Sequence, residues 1–169
     1  MKRISKDEYY LNIAREVSKR STCLKRHYGC VIVNEDIIVA TGYNGSPRGA
    51  ENCCDRGYCK RAKEARYSNY EECDSVHAEQ NALMATSRDR LIGATLYLAC
   101  EESKIFILHG DMRHIGDKVS PEYDGTDDEN SIVWIEDESP VPCNICSRMI
   151  RNSGITRVVN RMGDINLGK

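Results

Sequence analysis

The sequence predicts a three-layer α/β/α domain, in which helices cover both faces of a β-sheet. Three observations favour this fold. A chain of 169 residues is long enough to bury a core of its own. Segments with helical and strand periodicity alternate along the chain, as is typical of a sheet packed between helices. Only Asn34-Glu35-Asp36 separates the first two strands, which predicts an antiparallel hairpin. We therefore expect residues 1–169 to form a single domain.

The first predicted helix begins with the capping-box pattern Ser5-Lys6-Asp7-Glu8 and runs to about Lys19. Its apolar residues recur at helical intervals and are Tyr10, Ile13, Ala14 and Val17. The hairpin follows, with β-branched strands at 29–33 and 37–42. The second strand leads into residues 43–49. Two glycines and a proline make this segment either a loop that brings backbone amides close to a ligand or an ordinary surface turn.

Residues 50–75 carry many charges and almost no apolar periodicity, so they cannot bury a core unaided. A helix containing His77 follows and is predicted to end near residues 87–89. The remaining predicted core elements are a third strand at 94–99, a helix with Pro142 at its first position that stops at 152–154, and a fourth strand at 155–159.

The charge balance excludes some classes of partner. A formal net charge of −2 gives no broad basic field of the kind that nucleic acid attracts, so a small ligand is expected and nucleic acid is not. The absence of a long apolar run and the charged N-terminal residues predict no membrane association and a cytoplasmic location. In that reducing compartment, nine cysteines indicate metal ligation more than cross-links.

The residues with the clearest chemistry lie in two short motifs. His77 and Glu79 stand two residues apart at one expected helix start, and Cys143 and Cys146 stand three apart at another. One imidazole and two thiolates fill three positions of a tetrahedral zinc site and leave the fourth for water, as in catalytic sites. Side chains at i and i+2 point about 200° apart around a helix, so His77 and Glu79 converge only over the helix end. Two helix N-termini aimed at one zinc satisfy both spacings.

Together, H-A-E at 77–79 and P-C-N-I-C at 142–146 match the signature of zinc deaminases that act on cytosine or adenine. With T-G-Y-N-G-S-P-R-G at 41–49 and Cys53, they resemble the deoxycytidylate (dCMP) deaminase family. The resemblance covers most of residues 5–99 and 140–160. It implies a cytidine-deaminase-like fold with a mixed central sheet. It also implies hydrolysis of dCMP to dUMP and ammonia, which supplies the precursor for thymidylate synthesis.

The resemblance also implies roles for individual residues. His77, Cys143 and Cys146 would bind the catalytic zinc, which lowers the pKa of bound water to about 7. Glu79 would move a proton from that water to N3 of the base and then to the leaving amino group. Related enzymes are often hexamers regulated by dCTP and dTTP, so a homo-oligomer is expected, with a hexamer as one candidate.

Three residues of the loop at 43–49 are predicted to contact the substrate. The resemblance places Asn44 near the sugar and base of the nucleotide, and Ser46 lies in the same N-G-S-P motif. Arg48 is our first choice for the phosphate, because a guanidinium can hold an oxyanion with two hydrogen bonds. Four other basic residues flank the expected pocket or its surface: Lys19, Arg20, Lys25 and Arg26.

Four further cysteines stand where many bacterial and phage proteins resembling this family place a second, structural zinc: Cys23, Cys53, Cys59 and Cys73. Four thiolates make a closed tetrahedral site, which would order the polar segment at 50–75. Cys54 could replace Cys53 as a ligand, and we favour Cys53 by its match to the family position. Cys30 and Cys100 fall in or beside strands and are expected to be small core residues.

The resemblance breaks at about residues 101–140, where some 40 residues stand in place of a short connection. This insertion contains strand candidates at 105–108 and 131–135 around an acidic segment at 122–130. It would act as a lid, add strands to the sheet edge or build a subunit contact. Because the insertion can reshape the pocket, the substrate could instead be another cytosine nucleotide or nucleoside. Two competing functions are deamination of a nucleic-acid base and ligand binding by a zinc-stabilised protein without catalytic activity.

Overall fold

The central element is a mixed β-sheet. The computed structural model describes residues 2–61, 70–106, 112–114 and 132–168. In these residues, five strands run in the order β2-β1-β3-β6-β7, and β4 and β5 also pair with β3. The strands are β1 (Arg26–Asn34), β2 (Ile37–Tyr43), β3 (Thr95–Phe106), β4 (Met112–His114), β5 (Ile132–Asp137), β6 (Arg157–Asn160) and β7 (Gly163–Asp164).

The long strand β3 organises this sheet. It runs antiparallel to β1 along residues 95–102 and parallel to β6 along residues 95–97. The sheet is therefore mixed, as predicted. The β1–β2 hairpin is also confirmed, with Asn34 opposite Ile37. Glu35 and Asp36 form its turn with positive φ angles of 48° and 68°, which match the right-handed twist of the two strands.

Helices cover both sides of the sheet. Helix α1 (Lys6–Ser18) packs on one side over Val31, Val33 and Tyr97, and we call this side the α1 face. Helices α3 (Ala78–Met84) and α5 (Asn144–Ser153) pack on the other side over Cys30, Ile32, Leu96 and Leu98, and we call it the α3–α5 face. The predicted three-layer α/β/α architecture is confirmed. Cys30 and Cys100 are fully buried, as expected of small core residues.

The helix ends follow local sequence signals. Ser5 caps α1 by accepting a hydrogen bond from the Glu8 N–H at 3.1 Å. Gly154 ends α5 with a φ of 93°, a conformation that disfavours residues with a side chain. Two predictions were wrong in detail. Helix α3 ends at Met84, because Ser87 begins the separate short helix α4 (Arg88–Leu91). Pro142 precedes α5, because Cys143 is its N-cap residue.

The described parts of the 101–140 insertion add strands to the sheet. Lys104 pairs with His114 of β4 and with Val133 of β5, so β3 carries one strand on each side at this point. Strand β5 confirms most of the candidate at 131–135, and β3 itself continues through Phe106. The acidic segment at 122–130 and residues 107–108 lie outside the described residues. No described helix is both long and apolar enough to cross a membrane.

The cysteine-rich segment contains little regular structure in its described parts. A one-turn helix α2 spans Cys53–Arg56, and a 3₁₀ turn spans Tyr70–Glu72. After the 3₁₀ turn, Val76 and Gly45 form an antiparallel bridge. The N···O distance is 3.2 Å from Gly45 to the Val76 carbonyl and 2.8 Å from Val76 to the Gly45 carbonyl. This bridge joins the loop after β2 directly to the residue that precedes His77.

Candidate metal and catalytic site

Two helix N-termini meet on the α3–α5 face. His77 is the N-cap residue of α3 and Cys143 is the N-cap residue of α5, so both side chains lie at the positive ends of helix dipoles. Cys146 occupies the third position of α5, and its backbone N–H donates to Cys143 Sγ at 3.5 Å. Cys143 and Cys146 follow His77 by 66 and 69 positions in the sequence, and the two helix N-termini bring them to the same place.

The three predicted ligands form one compact cluster. His77 Nδ1 lies 3.4 Å from Cys143 Sγ and 3.4 Å from Cys146 Sγ. Tetrahedral zinc, with bonds of about 2.0 Å to nitrogen and about 2.3 Å to sulfur, would separate these atoms by about 3.6 Å. The cluster therefore fits a zinc ion with little movement. Among the described residues, these are the three potential metal ligands whose ligand atoms all lie within 4.8 Å of one another.

The three groups of the cluster shift one another's pKa values, and the shift of Cys143 favours a bound cation. The pKa of the Cys143 thiol falls to about 4, because Cys146 and His77 hydrogen-bond to its sulfur. The pKa of Cys146 is raised, first by its hydrogen bond to Cys143 and then by burial. The pKa of His77 is raised because its ring hydrogen-bonds to the Cys143 sulfur. A thiolate at a helix N-terminus beside an imidazole is a ready metal ligand.

Glu79 lies beside this cluster and is 3% exposed. Burial raises the pKa of its carboxyl group, and the charge of His77 opposes this effect. In the described residues, none of the ion pairs involves Glu79. A buried carboxyl group that forms no ion pair is costly to the fold, and this one lies beside three potential ligand atoms.

Two residues of α3 hold the site in position and were not predicted from the sequence. Gln80 Oε1 accepts a hydrogen bond from the His77 N–H at 3.0 Å, and Asn81 Nδ2 donates to the Tyr43 carbonyl at 2.8 Å. A glutamine three residues after an N-cap is a recognised capping signal, so the first of these contacts could have been found. The second joins distant segments and leaves no local signal.

The predicted substrate residues lie on the loop after β2, with different surroundings. The Asn44 side chain is buried: its Oδ1 accepts from Ser21 Oγ and the Tyr28 N–H, both at 2.7 Å, and its Nδ2 donates to the Arg26 carbonyl at 3.0 Å. Ser46 Oγ is buried and makes no hydrogen bond within the described residues. Arg48 is exposed.

The four other predicted metal ligands influence one another electrostatically, but in the described residues they form no group of three or more with ligand atoms within 4.8 Å of one another. The pKa of Cys23 is raised to about 11, mainly by burial and to a smaller extent by the charges of Cys59 and Cys53. Burial also raises the pKa of Cys59, with smaller contributions from Cys53 and Cys73. Cys54 is exposed and its sulfur points to Asp55 Oδ1 at 3.6 Å, whereas Cys53 is buried.

Comparisons with known proteins identify relatives that are zinc-binding deaminases. Residues 4–162 match the family model described as the cytidine and deoxycytidylate deaminase zinc-binding region. A deoxycytidylate deaminase of Mycobacterium phage D29 is 33% identical over 94% of this chain and 96% of its own length. The deoxycytidylate deaminase of Saccharomyces cerevisiae is 46% identical over 56% of this chain. The chain spans only 30% of the length of that protein and 31% of the length of the deoxycytidylate deaminase of Schizosaccharomyces pombe, which it also matches.

A solved structure agrees with the fold. The dCMP deaminase of cyanophage S-TIM5, in complex with dCMP and dUMP, superposes with a TM-score of 0.54 over 93% of this chain and 82% of its own. The two sequences are 22% identical, so this likeness bears on the fold alone. The match of the family model to nearly the whole chain, and the phage relative of equal extent, lead to one conclusion. The chain belongs to the zinc-binding cytidine and deoxycytidylate deaminase family.

Proposed function

We propose that the protein is a zinc-dependent enzyme that hydrolyses dCMP to dUMP and ammonia. One observation carries this proposal: a buried carboxyl group, Glu79, lies beside a three-ligand cluster of His77, Cys143 and Cys146. Three ligands leave one position of a tetrahedral metal for water, and a structural site has no use for a free carboxylate. The phage relative that matches over 96% of its length is named a deoxycytidylate deaminase, which supports the choice of substrate.

Zinc held by His77, Cys143 and Cys146 would acidify a bound water molecule. The remaining chemistry is assigned to Glu79. Its carboxylate accepts the proton of the attacking water and delivers it to N3 of the cytosine ring. Glu79 then takes the proton of the hydroxyl added at C4 and passes it to the amino group, so that the C4–N bond breaks, ammonia leaves and the C4 carbonyl forms. The raised pKa of Glu79 suits this role, because a group that both takes and returns a proton works best when its pKa is near the working pH.

A second zinc would be held by Cys23, Cys53, Cys59 and Cys73. Their electrostatic coupling supports a shared location, and basic side chains surround them. Arg56 Nη2 lies 3.4 Å from Cys53 Sγ. Lys25 lowers the pKa of Cys59 against the effect of burial. Such cations would offset the excess negative charge of four thiolates around one divalent ion.

The two adjacent cysteines provide a matched test of this second site. Cys53→Ser is expected to reduce the zinc content from two ions per chain to one, while Cys54→Ser leaves two. The reason is that Cys53 is buried and coupled to Cys23 and Cys59, whereas Cys54 faces solvent. Equal zinc content in both variants would contradict the assignment. The measurement is zinc per chain by elemental analysis of purified protein.

Substrate contacts are assigned to Asn44, Ser46 and Arg48. The Asn44 carboxamide already makes three hydrogen bonds within the protein, which leaves one N–H of its Nδ2 for a nucleotide. Ser46 Oγ has no partner among the described residues, and an unpaired buried hydroxyl is expected to find one in a ligand or water. The exposed Arg48 suits a phosphate that enters from solvent.

Arg48→Ala tests the phosphate contact. The KM for dCMP is expected to rise by about tenfold, which corresponds to the loss of a charge-assisted hydrogen bond, while kcat is unchanged. Arg88→Ala is the control, because Arg88 is also exposed but lies on α4 after the C-terminal end of α3. An equal change of KM in both variants would show that Arg48 does not bind phosphate.

The decisive experiment measures ammonia release from dCMP, dCTP, deoxycytidine and an RNA hairpin, with zinc content on the same sample. Activity on dCMP alone supports the proposal. Activity on the hairpin would favour a nucleic-acid deaminase, against which the net charge of −2 argues. Zinc without any activity would favour a binding protein. A cytoplasmic location and homo-oligomeric assembly stay predictions, and light scattering of the purified protein tests the assembly.

A further inference from the structure

The backbone of β2 touches the first turn of α3 at Gly42. A Cβ atom built on Gly42 would lie 2.3 Å from the Ala78 carbonyl oxygen and 2.5 Å from the Ala82 nitrogen. Both distances are shorter than real Cβ atoms show, and both atoms belong to the backbone, which cannot swing aside. Ala78 and Ala82 are the i and i+4 residues of one helical turn. The strand therefore packs against a hydrogen-bonded pair of backbone groups.

This glycine is required for space and not for backbone conformation. Gly42 is absent from the residues with positive φ, and it sits in regular pairing with Cys30 within the hairpin. A residue with a side chain could adopt the same backbone angles. Its Cβ atom would nevertheless collide with the backbone of α3, so the helix would have to move.

We propose that Gly42 is a positioning residue for the metal site, because its missing side chain fixes where the first turn of α3 lies. Ala78 stands between His77 and Glu79, so any movement of this turn moves a metal ligand and the carboxyl group together. Two further contacts define the same placement: the Asn81 to Tyr43 hydrogen bond of 2.8 Å and the bridge between Gly45 and Val76. The residues from Gly42 to Gly45 thus hold α3 on both sides of its N-terminus.

The opposite face of the sheet contains a matched site. A Cβ atom on Gly29 would lie 1.9 Å from the Ala14 carbonyl oxygen and 2.5 Å from the Ser18 nitrogen, again the i and i+4 groups of one turn. Here the helix is α1, which carries none of the cluster residues. Gly29 and Gly42 therefore share the packing geometry and differ in what the helix holds.

The inference rests on the proposed metal site, and the test compares Gly42→Ala with Gly29→Ala. Zinc affinity and the visible spectrum of the Co(II)-substituted protein are measured alongside thermal unfolding. Both variants are expected to lower the unfolding temperature. Only Gly42→Ala is expected to weaken zinc binding, by about 10- to 100-fold, and to alter the Co(II) bands, which report the geometry of the ligands. Unchanged zinc affinity and Co(II) bands in folded Gly42→Ala would overturn the inference.

A milder pair of variants decides the matter if the alanine variants do not fold. Asn81→Ala removes the hydrogen bond from α3 to Tyr43, and Tyr10→Phe removes the hydrogen bonds from α1 to Asp36. Altered Co(II) bands in Asn81→Ala alone support the inference, and unaltered bands in both overturn it. Absence of zinc from the wild-type protein would overturn the proposed function as well. Zinc bound equally by the wild type and the variants would overturn only the role of Gly42.

Discussion

On the α1 face of the sheet, charged side chains pair with one another, whereas on the α3–α5 face a carboxyl group is buried next to thiols. Arg15 lies 2.9 Å from Glu101 and 3.6 Å from Glu136, and Arg161 lies 2.8 Å from Glu136. Glu79 on the other face is as buried as Glu101 but forms none of the ion pairs in the described residues. Similar burial thus accompanies an ion pair on one face and, in the proposed mechanism, a group that exchanges protons on the other.

The comparison also explains why the two faces tolerate charge differently. A buried carboxylate with a guanidinium partner keeps its charge at limited cost. One without such a partner holds its proton more tightly, and burial does raise the pKa of Glu79. In the proposed mechanism, the α3–α5 face is therefore less stable than it would be without Glu79, and the buried carboxyl group exchanges protons there. Four sets of substitutions test this difference, in order from the largest expected effect to the smallest.

Glu79→Gln is expected to lower kcat by about 10³- to 10⁴-fold, because the amide cannot accept and return a proton. Zinc content should stay at the wild-type value, since Glu79 is not among the three clustered ligands. The measurement is steady-state ammonia release with elemental analysis. Glu16→Gln is the control, because Glu16 is an exposed carboxylate of α1. Near-normal turnover in Glu79→Gln would refute the assignment of Glu79.

Truncation of the two cores separates stability from metal binding. Leu11 on α1 and Ile150 on α5 are 4% and 0% exposed. Alanine at either position is expected to cost about 2–5 kcal/mol in the free energy of unfolding. Only Ile150→Ala should also weaken zinc binding, because α5 carries Cys143 and Cys146. Denaturant unfolding and zinc titration check this. Equal loss of zinc in Leu11→Ala would show that the two faces are not independent.

Most parts of the fold that local sequence signals encode were predicted correctly. Ser5 marks the start of α1, Gly154 marks the end of α5, and H-A-E with P-C-x-x-C marks the ligand cluster. Each signal acts within a few residues or through chemistry that few other arrangements provide. Even the erroneous end of α3 had a local cause, because Ser87 caps α4 and was interpreted as the end of the preceding helix.

The contacts that join distant segments could not be predicted in the same way. The extension of β3 to Phe106 and its pairing with β5 depend on which strands meet, and periodicity does not specify a partner. The close packing of Gly42 on α3 could not be predicted either. A glycine within a strand indicates a close approach in general, but the sequence does not say which helix approaches.

Arg15→Ala tests the ion pairs of the α1 face. This change leaves the buried Glu101 without its main partner, and we expect a loss of about 1–2 kcal/mol in the free energy of unfolding. Zinc content and the KM for dCMP should not change, because these charges lie across the sheet from the cluster. Lys19→Ala is the control, since its pair with Glu16 is exposed and is expected to contribute little. A changed KM would show that charge on the α1 face reaches the site.

The smallest predicted effect concerns Asp7, which joins α1 to β6. Arg157 donates to both carboxylate oxygens at 2.8 Å and Tyr97 donates at 2.9 Å, and these hydrogen bonds, Arg157 first, lower the pKa of Asp7. Because the folded pKa lies below the unfolded one, the carboxylate stabilises the fold above about pH 4, and this contribution is lost as the pH falls through the folded pKa.

We therefore expect Asp7→Asn to lower the free energy of unfolding by about 0.5–1 kcal/mol at pH 7, a modest value because both side chains of the pair are more than a third exposed. The difference from the wild type should shrink in urea unfolding below about pH 4, where the wild-type carboxylate also becomes protonated. Glu8→Gln, in the same exposed first turn of α1, should show little of this pH dependence, because its N–H but not its carboxylate takes part in the cap. A difference that grows on acidification would mean that Asp7 acts through something other than its charge.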